Sequence, residues 1–201
     1  MSTETVSPPA LDDAPAVAPV FDMAAATLAA RDFLAALGVS CDSPGMRKSP
    51  QRMAEAYASM FTARPFEMTT FPNEEGYDEL VVVKQIPVQS VCEHHLLPFT
   101  GVAHVGYLPA DRILGLSKFA RVVEMFARRP QVQERLTQQV AEWLDVHLSP
   151  KGVGVVIEAE HTCMTVRGVR AAGSLTTTSA LSGALRDDPR SRAEFLASVN
   201  G

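Results

Sequence analysis

Glu79-Leu80-Val81-Val82-Val83-Lys84-Gln85-Ile86-Pro87-Val88 marks the point where the chain turns from helical texture to strand. Its β-branched runs, Leu80 to Val83 and Ile86 to Val88, suit extended backbone, and Pro87, which lacks an N–H, predicts a bulge or an open sheet edge there. A second strand is expected at Val102 to Leu108. Two helical stripes follow. Phe119, Val122, Val123 and Phe126 fall at i, i+3, i+4 and i+7, with Ser117 as candidate N-cap, and Val132, Leu136, Val140, Trp143 and Leu144 form a second stripe after the break at Pro130. Both stripes read as core and carry no chemistry of their own. Val153 to Glu160 and Ser174 to Ser179 complete the set as strands. The order strand, strand, helix, helix, strand, strand predicts an α+β fold: an antiparallel four-stranded sheet with two long helices packed on one face.

Upstream, Asp22 caps a predicted helix running to about Leu37 with Gly38 as its stop. Ser49-Pro50 offers an N-cap and a first-turn proline for a second helix through Met60. Residues 1–21 mix Pro, Ala and Asp with little to pack and are expected to form a disordered N-terminal arm. The domain is expected over residues 22–201, with a helical part over about 22–78 and the sheet part over about 79–201. A chain of 201 residues with 46% hydrophobic residues can bury one sizeable core. Its formal net charge of −5 argues against nucleic-acid or membrane-surface binding, so any anionic ligand must meet a local cluster of Arg and Lys. The arm has no basic and apolar leader pattern, and no stretch is long and apolar enough to span a bilayer. Three cysteines, an odd number, make no disulfide framework, which points to a reducing, cytoplasmic setting.

The chemistry concentrates in Cys92-Glu93-His94-His95 and His161-Thr162-Cys163. Two thiolates and an imidazole are ligands that suit zinc. Three protein ligands leave a fourth vertex for water, which favours hydrolysis over scaffolding. On extended chain, His161 and Cys163 would share a face, whereas adjacent His94 and His95 would point in opposite directions, so one binds metal while the other moves protons. Spacing alone leaves open which does which. His104 and His147, lying alone, read as hydrogen-bonded core or surface residues, and Cys41 as a bystander.

Four blocks in order, Ser90-Val91-Cys92-Glu93-His94-His95-Leu96, Gly115-Leu116-Ser117-Lys118, Arg129-Pro130-Gln131-Val132-Gln133-Glu134-Arg135-Leu136 and His161-Thr162-Cys163-Met164-Thr165-Val166-Arg167-Gly168, closely resemble GTP cyclohydrolase I of the zinc-dependent type. The likeness runs from about Ala24 to the C-terminus. It implies the tunnelling fold, a homodecamer with active sites between subunits, and conversion of GTP and water to 7,8-dihydroneopterin triphosphate and formate. By that resemblance Cys92, His95 and Cys163 are the zinc ligands, and His94 and His161 are the catalytic histidines.

The same resemblance implies the substrate contacts. Glu134 matches the residue whose carboxylate accepts guanine N1–H and the 2-amino group together, and Gln133 beside it is a second candidate. Arg52, Lys118, Arg121 and Arg167 match the triphosphate-binding cations. Ser117 either touches sugar or phosphate or only caps its helix. Glu93 reads as a supporting carboxylate. Residues 66–77 replace a connection that varies between family members. Two alternatives remain to be separated. A zinc-dependent nucleobase deaminase would use similar ligands, but its His-x-Glu and Pro-Cys-x-x-Cys order is absent. A zinc-stabilised oligomeric binding module would close the coordination shell with a fourth side chain.

Overall fold

The computed structural model describes residues 19–200, without the side chain of Asn200. Most of the arm expected over residues 1–21 therefore lies outside the described residues. The chain opens with α1 (Met23–Ala36) and α2 (Ser49–Met60). Asp22 caps α1 by accepting from Ala25 N at 2.9 Å, and Gly38 stops it at φ +76°. The cap expected for α2 differs: Ser49 is the first helical residue, Lys48 precedes it, and no side chain caps the helix.

The short strand β1 (Thr70–Pro72) comes next, then the long antiparallel pair β2 (Val81–Cys92) and β3 (Pro98–Leu108). β1 pairs antiparallel with β4 (Arg112–Leu114) in a small separate sheet, so the silent stretch at 66–77 contributes a strand. α3 (Ser117–Ala127), the two-residue β5 (Pro130–Gln131) and α4 (Gln133–Leu148) follow. The chain then runs through β6 (Gly152–His161), the single turn α5 (Thr162–Thr165), β7 (Thr176–Leu181), α6 (Ala184–Asp187) and α7 (Pro189–Asn200). The main sheet has the order β5-β2-β3-β6-β7. The expected four strands are antiparallel neighbours, and β5 adds a short parallel partner at Val91 and Cys92. The fold is α+β.

The bulge expected near Pro87 occurs between Val83 and Ile86, with Gln85 at φ +58°. Its effect is on phase. A strand alternates faces with period two, so the inserted residue lets Val81 and Val83 face the same core as Ile86 and Val88. On that face lie α3, burying Phe119, Val122, Val123 and Phe126, and α4, burying Leu136, Val140, Trp143 and Leu144. The predicted stripes are thus core except at Val132, which is half-buried and extended at the cap position before α4. Ser117 begins α3 without a capping bond, because Leu116 occupies the cap position.

The opposite face carries a second apolar cluster that the sequence reading missed. Phe195 of α7, fully buried with Leu185 and Val156, lies so close to Gly106 of β3 and Gly154 of β6 that a Cβ at either would meet its ring at 2.6–2.9 Å. Asp188 starts α7 by accepting from Ser191 N at 2.9 Å, and Lys84 Nζ donates to Ser198 O near its end at 2.9 Å. No helix among the described residues is long and apolar enough to cross a membrane. Phe195→Ala is expected to lower the unfolding free energy by about 3–5 kcal/mol, because the two glycines cannot fill the void. Chemical denaturation checks this, and a loss below about 1 kcal/mol would contradict the packing.

Candidate active site

Register builds the site. Val91 pairs with Pro98, and Phe99 pairs with His161, so the end of β2, the start of β3 and the end of β6 meet at one edge of the sheet. Cys92 closes β2, and the turn after it returns at once to β3: Leu96 N donates to Cys92 O and Cys92 N to Leu97 O, both at 2.8 Å, with Leu96 at φ +53°. His94 and His95 therefore lie on a turn and not on a strand. Past His161, α5 coils the chain, and Thr162 Oγ1 donates to Pro98 O. The extended geometry expected for His161 and Cys163 is replaced by a strand end and a helical turn.

That local curl brings together three potential ligands. The ligand atoms of Cys92, His95 and Cys163 all lie within 4.8 Å of one another, in a group that does not include His94. Cys92 Sγ is 3.7 Å from His95 Nδ1, close to the roughly 3.5 Å edge that tetrahedral zinc with sulfur and nitrogen ligands requires. His94 Nδ1 lies 3.8 Å from the same sulfur on another side. Burial, then the neighbouring Cys92 thiol, pushes the Cys163 thiol above its ordinary pKa. That thiol resists ionising unless a cation meets it, and a soft divalent ion suits this donor set.

His161 is engaged elsewhere. Its ring stacks on Phe99 with centroids 4.4 Å apart and planes 10° apart, and its Nε2 lies 2.7 Å from Gln133 Oε1. Burial lowers its pKa, with nearby Glu134 pulling weakly the other way. An imidazole bound in this way is poorly placed to close a fourth vertex.

Glu93, read from sequence as a supporting carboxylate, braces the metal turn together with Gln131, Arg135 and Tyr57, which the sequence reading did not assign to it. Glu93 N donates to Gln131 O at 3.0 Å, and the Glu93 carboxylate pairs with the Arg135 guanidinium, whose Nε donates to Gln131 Oε1 at 2.9 Å. The Arg135 hydrogen bond holds the Glu93 carboxyl below the usual range. Tyr57 of α2 donates its hydroxyl to Leu96 O at 2.8 Å. The i, i+4 spacing of Gln131 and Arg135 was the one available signal. His104 is buried with an unpartnered Nδ1, and His147 bonds Trp143 O and stacks on its indole, both away from the metal cluster. Cys41 is a free cysteine outside the cluster.

The other candidates divide into two groups. Glu134, exposed at the start of α4, acts electrostatically on His161, and exposed Arg167 on Cys163, so both belong to the metal end. Ser117 and Lys118, at the start of α3, do not. Phe119, next to Lys118, packs on Tyr107 with centroids 5.6 Å apart. Tyr107 stands eight residues along β3 from Phe99, about 26 Å at strand rise. Lys118 Nζ lies over the Phe66 ring at 6.0 Å, and Arg121 reaches Glu124, which also pairs with Arg64. Arg52 is exposed on α2.

A family model for GTP cyclohydrolase I matches residues 26–200. The chain belongs to the GTP cyclohydrolase I family. It is 52% identical to GTP cyclohydrolase 1 of Mycolicibacterium vanbaalenii over 88% of this chain and 90% of that one. The corresponding protein of Aquifex aeolicus is 50% identical over 86% and 94%, and that of Rhodopirellula baltica 50% over 89% and 80%. Membership agrees with the geometry, since two clusters distant in sequence form one potential metal site. Cys92→Ser and Cys163→Ser are expected to strip most of the bound metal, while His94→Ala and His161→Ala retain it. Elemental analysis of the purified variants checks this, and metal loss from either histidine variant would contradict the division of roles.

Proposed function

We propose that this chain is a zinc-dependent GTP cyclohydrolase, which hydrolyses and rearranges GTP to 7,8-dihydroneopterin triphosphate and formate. The observation that carries the reading is the Cys92, His95 and Cys163 cluster with His161 beside it but bonded away from it. Zinc is the ion that fits, and when bound it supplies the Lewis acidity that makes water a nucleophile near neutral pH.

The chain's own residues provide the rest. Glu134 accepts N1–H and the 2-amino group of guanine, which turns C8 and N7 towards the histidines. His161 takes a proton from the attacking water as oxygen bonds to C8 and delivers a proton to N7, completing addition across that bond. Cleavage at C8–N9 and a second hydrolysis release formate. His94, more exposed than His161, serves the later transfers of ribose opening, rearrangement and pterin closure. Arg167 meets the triphosphate from the metal end.

Ser117 and Lys118 begin α3 far along the sheet from that site within one chain, and Arg121 turns to Glu124. A neighbouring copy would supply Ser117 and Lys118 in a homo-oligomer with shared sites, a decamer of the tunnelling fold by family resemblance. Arg52 completes the phosphate set. The free thiols of all three cysteines suit a reducing cytoplasm.

Incubation with GTP is expected to yield formate and, after oxidation, pterin fluorescence, both abolished by chelator. Ammonia without formate would instead indicate a deaminase, and zinc-bound protein that leaves GTP unchanged a binding module. Co-assembly of Lys118→Ala with His161→Ala subunits is expected to restore activity that neither has alone. Silent mixtures that form intact oligomers would contradict the shared site.

A further inference from the structure

Gln133 is the first residue of α4 and is 1% exposed. Its amide bridges the two strands that carry the far side of the site. One end, Nε2, faces Ile157 O at 3.0 Å, Thr176 O at 2.8 Å and Thr178 Oγ1 at 3.1 Å. A carbonyl oxygen only accepts, so the end that meets two of them must be the –NH2 group. The opposite end is therefore Oε1, an acceptor alone. His161 Nε2, 2.7 Å from it, must donate. The identity of the hydrogen follows from the chemistry of the partners.

The arrangement is braced beyond the amide. Thr137, one turn along α4, donates to Gln133 O at 2.7 Å, and its hydroxyl meets Thr178 Oγ1 at 2.6 Å. The Phe99 ring lies flat against the imidazole, so rotating His161 away would break the stack as well as the hydrogen bond. Helix α4, strands β6 and β7 and the start of β3 thus converge on one ring orientation. Gln133 has both ends of its amide committed, and turning to face a base would strand two carbonyls in the interior.

Resting on the functional reading above, we propose that Gln133 is a positioning residue that fixes His161 as the Nε2–H tautomer, leaving Nδ1 as the one nitrogen that exchanges protons with substrate. Gln133 then acts through His161 and does not contact guanine, in contrast to the substrate-binding role considered from sequence. An imidazole whose Nε2 carries a proton also cannot offer that atom to a metal. The same bond that readies the acid-base group keeps it out of the coordination shell.

Two measurements test this. In the zinc-loaded full-length enzyme, neutron diffraction or nitrogen-15 histidine spectroscopy at a pH where the ring is neutral is expected to show hydrogen on Nε2 of His161 and none on Nδ1. Hydrogen on Nδ1 with a bare Nε2 would overturn the proposal. Gln133→Met, close in size but without the amide, is expected to lower kcat about 10–100-fold, with KM for GTP and zinc content unchanged and the histidine signal spread over both tautomers. A raised KM with unchanged kcat would show that Gln133 binds the base and would overturn it too. If the variant does not fold, the tautomer of the unaltered enzyme decides the matter. Failure of the unaltered enzyme to release formate would overturn the activity, while the tautomer measurement would still judge this inference.

Discussion

Everything at the active end depends on the antiparallel register that seats the start of β3 between the ends of β2 and β6. Val91 opposite Pro98 and Phe99 opposite His161 set where each chain segment leaves the sheet. A slip of one residue would turn Phe99 from the core to the other face and carry His161 away from it. The register is held by burial: Phe99, Ala103, Val105 and Tyr107 of β3 are all inaccessible or nearly so beneath α3 and α4. The bulge in β2 serves the same end, because it lets two apolar runs of opposite phase face one core.

From that fixed edge, roles are divided by local backbone. A tight turn after Cys92 swings His95 towards the sulfur of its own segment, and a single helical turn after His161 brings Cys163 to meet them. His161, still on the strand, is claimed by Gln133 and Phe99. Three side chains face a prospective ion and one faces a glutamine. The proposed chemistry, an open metal vertex next to a proton carrier, rests on that division. Glu93, Arg135 and Gln131 tie the turn to α4, the helix that also carries Gln133 and Glu134.

Much of this was legible in the chain because it rests on periodicity and ligand chemistry. The helical stripes of α3 and α4 appear as core, Asp22 and Gly38 bound α1, and Pro87 marks the open, bulged edge of β2. Cys92, His95 and Cys163 were legible as candidate ligands because thiolates and imidazoles gather there at spacings that structure alone seldom needs, and the fold brings the three together. What stayed hidden depends on tertiary contact. Ser49 and Ser117 look like caps, yet each starts its helix one residue later than a cap would. The final helix was missed although Asp188-Pro189 is a sound start signal, because its short stripe through Phe195 and Val199 means little without Gly106 and Gly154 beneath it. Strand alternation would govern both clusters only on extended chain, and the fold curls each one. Gln133 could be named from resemblance, but its engagement with His161 requires three strands and a helix in place.

The central claim is that Cys92, His95 and Cys163 share one zinc ion whose fourth vertex stays free of protein. Zinc-edge X-ray absorption of the purified enzyme measures this directly. The account predicts two sulfur scatterers at about 2.3 Å and two nitrogen or oxygen scatterers at about 2.0–2.1 Å, only one of them showing the multiple scattering of imidazole. Two imidazoles in the shell, or fewer than two sulfurs, would contradict it.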